Sequence, residues 1–288
     1  MKNIFPSISV LLLGTCLFSA CEGDETPPVA STHPTVPFSK IQVVEVQRLD
    51  AEPVTLTQTF NFNDGRINSY TTHQKVKAND EIVEIENLTK TTYTITDEEV
   101  QEVTMTDDFG QTLTYTLNEK GYATACNRQG GGSPRSYTFQ YRTDGSGLHY
   151  LTNITEFWSD GTAYATIDIT YSIDNTWYIR QQVDEYEQKY TVTAPTGSEA
   201  INNISCLPLP FLTEMHPLSI HTAALYGKLL GEPFPILATR IVPDNNEESQ
   251  EEITYSYRLT NSGVIDRCTM QTVSYQKSFK RSFIYNIE

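Results

Sequence analysis

Thr112-Leu-Thr-Tyr-Thr-Leu-Asn-Glu-Lys-Gly-Tyr-Ala-Thr-Ala-Cys126 decides the fold class of this chain. Leu113, Tyr115 and Leu117 alternate with Thr112, Thr114 and Thr116. An extended ribbon built this way is apolar on one side and polar on the other. Asn118-Glu-Lys-Gly121 follows as a turn, because glycine takes a positive φ without a Cβ penalty. The same order returns at Tyr257-Arg-Leu259, Gly263 and Cys268. In both stretches Gly stands six residues after the Tyr and Cys five after the Gly. Looser versions run through Phe60-Asn-Phe62 with Asp64-Gly65, and Tyr137-Thr-Phe-Gln-Tyr141 with Asp144-Gly145. One hairpin unit repeated side by side accounts for the pattern.

The period of two extends over the body of the chain. Val54, Leu56, Phe60 and Phe62 share one parity, as do Ile167, Ile169 and Tyr171, and Ile253, Tyr255, Tyr257 and Leu259. Thr, Tyr and Val/Ile suit a pleated surface. Asp160-Gly161 adds another turn. The expectation is an all-β fold: an antiparallel meander of hairpins forming a barrel-like or strongly curved sheet. One segment departs from it. Cys206-Leu-Pro-Leu-Pro-Phe-Leu212 reads as a Pro-punctuated apolar loop, and Pro217 to Leu230 as a helix. Ala223 and Ala224 favour that helix, and Gly231 and Pro233 stop it. So apolar a helix has to cover or plug the sheet.

The chain of 288 residues carries 20 Lys+Arg against 36 Asp+Glu, a formal charge of −16. That balance excludes a surface that tracks nucleic-acid phosphates. Aromatic residues at 11% exclude a disordered chain. Residues 1–20 read as a signal peptide: Lys2, then the apolar run Ile8 to Phe18, then Ser19-Ala20-Cys21. Small residues before a cysteine, behind an apolar run, resemble a bacterial lipobox, with Cys21 as the lipidated first residue of the mature chain. Acyl chains such as palmitate at about 0.8 kcal/mol per buried CH₂ would hold it to a membrane. Ordinary secretion is the plainer alternative. Residues 21–39, with Glu22-Gly-Asp-Glu25 and four prolines, form a flexible tether, and residues 40–288 a single β domain. The acidic stretch also resembles a surface-export signal. Cys126, Cys206 and Cys268 remain; two could pair in an oxidising envelope, Cys126 with Cys268 among the options.

The hairpins, the Leu207-Pro-Leu-Pro-Phe211 loop and the Ala223-Ala-Leu-Tyr-Gly-Lys-Leu-Leu-Gly231 segment behind a lipobox resemble an uncharacterised family of Bacteroidetes lipoproteins. Its domain of unknown function is porin-like, an antiparallel barrel-like β fold. The resemblance implies a fold and an address in the cell envelope, lipid-anchored to the outer membrane. It implies no activity.

Chemistry is sparse. Ser136, Ser159 and Ser198 sit in no nucleophile elbow. His216 and His221 are five apart, off the spacing that puts two ligands on one helical face. Packing is the expected role of both, with no metal, cofactor or catalytic residue implied. Trp158 and Trp177 lie near hairpin turns. Exposed and adjacent, they would be ligand contacts, for a glycan or another envelope protein; buried, they are core. The expected function is an envelope lipoprotein with a non-enzymatic binding or scaffold domain, its membrane contact made through Cys21. A carboxylate-based hydrolase acting on surface polysaccharide is the first alternative, and a purely structural assembly role the second. A concave pocket with two carboxylates, one with a raised pKa, would mark the hydrolase.

Overall fold

The structure, a computed structural model, describes residues 35–49, 52–78, 81–96, 99–172, 176–194, 207–234, 236–244, 252–261, 264–274 and 277–288. Cys21, Cys206 and the tether up to residue 34 lie outside them.

Sixteen strands form one closed antiparallel barrel in which each pairs with its neighbours in sequence. They are β1 (Lys40–Leu49), β2 (Glu52–Asn63), β3 (Arg66–Ala78), β4 (Glu81–Thr96), β5 (Glu99–Asp107), β6 (Thr112–Leu117), β7 (Ala123–Gln129) and β8 (Arg135–Thr143). The second half comprises β9 (His149–Phe157), β10 (Ala163–Tyr171), β11 (Thr176–Val183), β12 (Tyr186–Thr193), β13 (Arg240–Pro243), β14 (Glu252–Leu259), β15 (Ile265–Ser274) and β16 (Lys277–Ile287). β1 closes the ring on β16 with Ile41 opposite Ile287 and Val43 opposite Tyr285. Closure removes the edges that an open meander would expose. The end where β1 begins and β16 finishes is called the lower end here. Val36 is tied there, its N–H donating to the Gly65 carbonyl at 2.8 Å.

The repeated hairpin is physical. Tyr115 faces Cys126, and Tyr257 faces Cys268, as cross-strand partners. Both hairpins carry a register shift just before the turn, at Thr116/Leu117 and Arg258/Leu259. The same shift recurs at Asn61/Phe62, Thr94/Ile95 and Gln140/Tyr141, all in lower-end hairpins. Such a bulge bends and twists the strand, which helps a sheet close. At the β2–β3 turn Asp64 (φ 49°) and Gly65 (φ 73°) both take positive φ, as a tight hairpin turn demands. Cys126 and Cys268 are both free buried thiols, so the option of pairing them is not realised.

Tyrosines tie successive hairpins together. Tyr93 Oη donates to the Ile67 carbonyl at 2.7 Å, Tyr141 Oη to Ala123 at 2.6 Å, and Tyr171 Oη to Leu151 at 2.8 Å. Each accepting residue directly precedes, on its strand, the unpaired residue of the register shift in the hairpin before. Tyr93→Phe, Tyr141→Phe and Tyr171→Phe should each lower stability by about 1 kcal/mol, read by urea unfolding. Unchanged midpoints would mean that these carbonyls need no tyrosine donor.

Inward positions are apolar. Leu113, Tyr115, Leu117, Phe139, Ile154, Ile167, Ile179 and Val192 are buried. The outward positions of the same strands carry Thr and charge. On β10–β12, Arg180 pairs with Asp168 at 3.5 Å and Glu187 at 2.5 Å, and Lys189 with Glu187 at 3.0 Å. A barrel spanning a bilayer has the reverse arrangement, an apolar band outside and a polar lumen.

Residues 207–234, between β12 and β13, fill the lumen. They hold helix α1 (Pro210–Glu214), a 3-10 turn (Leu218–His221) and helix α2 (Thr222–Tyr226). Leu207, Phe211, Met215, Leu218, Ala224, Tyr226 and Leu230 all join the barrel core. The expected helix over 217–230 is thus confined to 218–226 and broken in type, while a short helix stands where a loop was expected. Gly227 caps the helix where the chain packs close to the wall: a Cβ there would meet Ile67 Cγ2 at 2.8 Å. The chain turns there, with Lys228 at φ 58°. Burial on every side, rather than one amphipathic stripe, holds this segment.

Candidate functional site

The plug enters and leaves at the lower end, where Ala123 N–H donates to the Leu229 carbonyl (2.8 Å) and Glu232 N–H to that of His149 (2.7 Å). Its tip, residues 213–222, reaches the upper mouth and is held there by two polar anchors. Glu156 on β9 is buried at 1% exposure. Its Oε2 lies 2.6 Å from His216 Nε2, and its Oε1 lies 3.1 Å from both Arg135 Nε and Tyr137 Oη. Gln181 Nε2 donates to the His216 carbonyl at 2.7 Å. Burial alone would raise the Glu156 pKa. His216, the Tyr137 hydroxyl and the Arg128 charge outweigh it and hold the carboxyl below its usual value. This carboxylate is therefore an ionised post for the plug, not a proton donor.

The second anchor is Arg281 on β16. Its Nη1 lies 2.6 Å from Glu214 Oε1 of the plug and 3.2 Å from Glu45 Oε1 of β1. Burial, countered by Arg281 and reinforced by the Glu214 charge, raises the Glu45 pKa. Deeper in, His221 is fully buried among Tyr115, Tyr137 and Phe139. Burial pushes its imidazole down to about 3, so it is neutral, with Nδ1 2.8 Å from Tyr115 Oη.

Between the plug tip and β3–β6 lies a hollow of about 170 Å³. Tyr70, Asn87, Asp107, Gln111, Ser219 and Thr222 supply its polar lining, and Met105, Leu113 and Ile220 its apolar part. Asp107 is its sole carboxylate, and its Oδ1 is occupied by the N–H groups of Phe109 and Gln111 at 3.0 and 2.8 Å. The hollow can accept and donate hydrogen bonds, but it lacks the paired carboxylates of a glycosidase. Glu45 and Glu214 do approach closely, but they bind one guanidinium and do not line the hollow.

Residues 60–266 match the domain of unknown function (DUF4595) with porin-like fold. The chain belongs to this family. A porin-like protein from Bacteroides uniformis, solved by crystallography, is 44% identical. The match covers 90% of this chain and 99% of that one at a TM-score of 0.80. A porin-like protein from Bacteroides vulgatus is 11% identical over 88% of this chain and 98% of that one, at a TM-score of 0.49. No curated protein matches.

In this DUF4595 barrel the two tryptophans do not meet. Trp177 is 2% exposed, inward at the lower end, its ring centroid 3.7 Å from that of Phe234 in the plug. It is core, not a contact surface, because its parity on β11 faces the lumen. Trp158 is 38% exposed at the upper rim, yet the Arg135 guanidinium lies 3.4 Å from its ring centroid. That cation–π contact occupies one ring face that a sugar would need. His221 packs in the core as expected, whereas His216, partly exposed, meets the Glu156 carboxylate instead. Glu156, Arg135, Gln181 and Asn87 were not singled out from sequence. Glu156 had a signal: it shares the apolar parity of Ile154 on its strand.

Proposed function

We propose that this chain is a lipid-anchored protein of the cell envelope whose water-exposed barrel is a non-enzymatic binding domain. Cys21 carries the anchor at the outer membrane, and the upper mouth takes the ligand. The observation that carries this reading is the inverted, filled barrel. Among the described residues, its outward Asp168–Arg180–Glu187 network and apolar, plugged lumen are the reverse of a bilayer-spanning barrel's apolar outside and polar channel. Acyl chains on Cys21 then supply the membrane attachment. Val36 is tied at the lower end, beside Gly65, and the hollow lies at the other end of the barrel.

Changing Cys21→Ala should move the protein from the membrane to the soluble fraction, and screening that full-length variant on a glycan array tests the mouth directly. Membrane fractionation that survives the substitution would refute the anchor.

A further inference from the structure

The β3–β4 hairpin overtops its neighbour. β4 pairs with β5 only from Thr89 opposite Asp107 to Thr96 opposite Glu99. Above that, Glu81 to Leu88 pair with β3 alone, from Ala78 opposite Glu81 to Thr71 opposite Leu88. The Leu88 carbonyl accepts from Asp108 N–H at 3.1 Å. Among the described residues no strand pairs with the far edge of residues 81–87. That edge spans about 23 Å of strand at about 3.3 Å per residue.

Parity continues from the hollow up the hairpin. Asn87 lines the hollow, and Ile85 and Val83 follow on the same face, 49% and 42% exposed. Val83 lies opposite Val76, and Ile85 opposite Gln74. The other face carries Ile82, Glu84 and Glu86, with Glu84 held by Lys75 at 2.7 Å and His73 at 3.1 Å.

We infer that β4 is a docking edge: an extended polypeptide alternating basic and β-branched residues adds to it as a strand, and its end enters the polar hollow. This rests on the binding-domain reading and names the partner class for the same mouth. Three features favour a peptide over a sugar. A row of free backbone N–H and C=O groups complements another backbone, as in strand addition. The wall above the hollow is aliphatic, not aromatic. The aromatic side chain that does line the hollow, Tyr70, is stacked on Phe60 at 4.8 Å. Charge sets the sequence of the partner. Its outward side chains stand beside Glu84 and Glu86, and its inward ones beside Val83 and Ile85. A second copy fits poorly, because centred antiparallel self-pairing opposes Glu84 to itself or to Glu86.

The test uses the full chain in detergent and a dye-labelled, end-capped octapeptide alternating lysine and valine. A peptide with the same residues in two blocks controls for the attraction of any cation to this acidic protein. Expected are saturable anisotropy binding of the alternating peptide, weaker by about tenfold for the block peptide and for the exposed double variant Glu84→Lys/Glu86→Lys, and slowed amide exchange at residues 82–87 and around the hollow. Equal binding of both peptides, or exchange at residues 82–87 left unchanged, overturns strand addition. A chain that binds a neutral glycan at the hollow with β4 unprotected also overturns it, while leaving the binding-domain reading intact.

Discussion

Replacing Glu156 by Gln should lower stability by about 3 kcal/mol, at the low end for a broken buried ion pair because His216 is partly exposed. In a domain of this size that corresponds to roughly a 10 °C fall in Tm. The loss arises because Arg135, 10% exposed, keeps its charge but loses its carboxylate. The plug tip loses its His216 contact at the same time. The substitution should also change the acid response. The folded carboxyl has a lowered pKa, so the unfolded chain binds more protons across the transition. Its stabilisation is complete above the ordinary value of 4.5 and is lost as pH falls through the folded value. The wild-type Tm should therefore drop more steeply than that of Glu156→Gln below that pH. Thermal unfolding followed by circular dichroism between neutral pH and pH 3 reads both effects. Equal melting temperatures with parallel acid limbs would remove Glu156 as the anchor of the plug.

Phe60→Ala should cost about 4 kcal/mol, among the larger values for a core truncation. Phe60 is fully buried and sandwiched: Tyr70 of the barrel wall stacks on it at 4.8 Å and Tyr226 of the plug at 3.9 Å. Removing the ring leaves a cavity between wall and plug that neither neighbour can collapse into, since Tyr70 is held through Gln58 at 2.7 Å. Phe109, 71% exposed at the upper rim, is the matched control, and its change to Ala should stay within about 0.5 kcal/mol. Urea unfolding of the two variants makes the comparison. A loss below about 1 kcal/mol for Phe60→Ala would mean the plug contributes little to the core.

The strands were legible because alternation is a local property. Leu113, Tyr115 and Leu117 are buried and Thr116 is exposed, as their parity requires. The shared Tyr-to-Cys offset marked hairpins whose bulges do coincide. The same locality misled at the plug. Ala223-Ala224-Leu225 favour helix, but the chain turns at Lys228, where Gly227 packs close to Ile67, far away in sequence. The mouth was less legible still. Asn87, Asp107 and the Ser219/Thr222 pair come from three separate stretches, and no spacing rule links them.

By itself the sequence determined the all-β class, the hairpin unit and the sign of each face, since these follow from side-chain parity and turn chemistry within a few residues. Only the tertiary structure decided that sixteen strands close on themselves, that apolar parity points inward, and that residues 207–234 fill the space. Alternation reads the same whether its greasy side meets a lumen or a lipid. The choice appears only when a distant segment supplies the apolar partner, as Tyr226 does for Phe60 and Phe234 for Trp177.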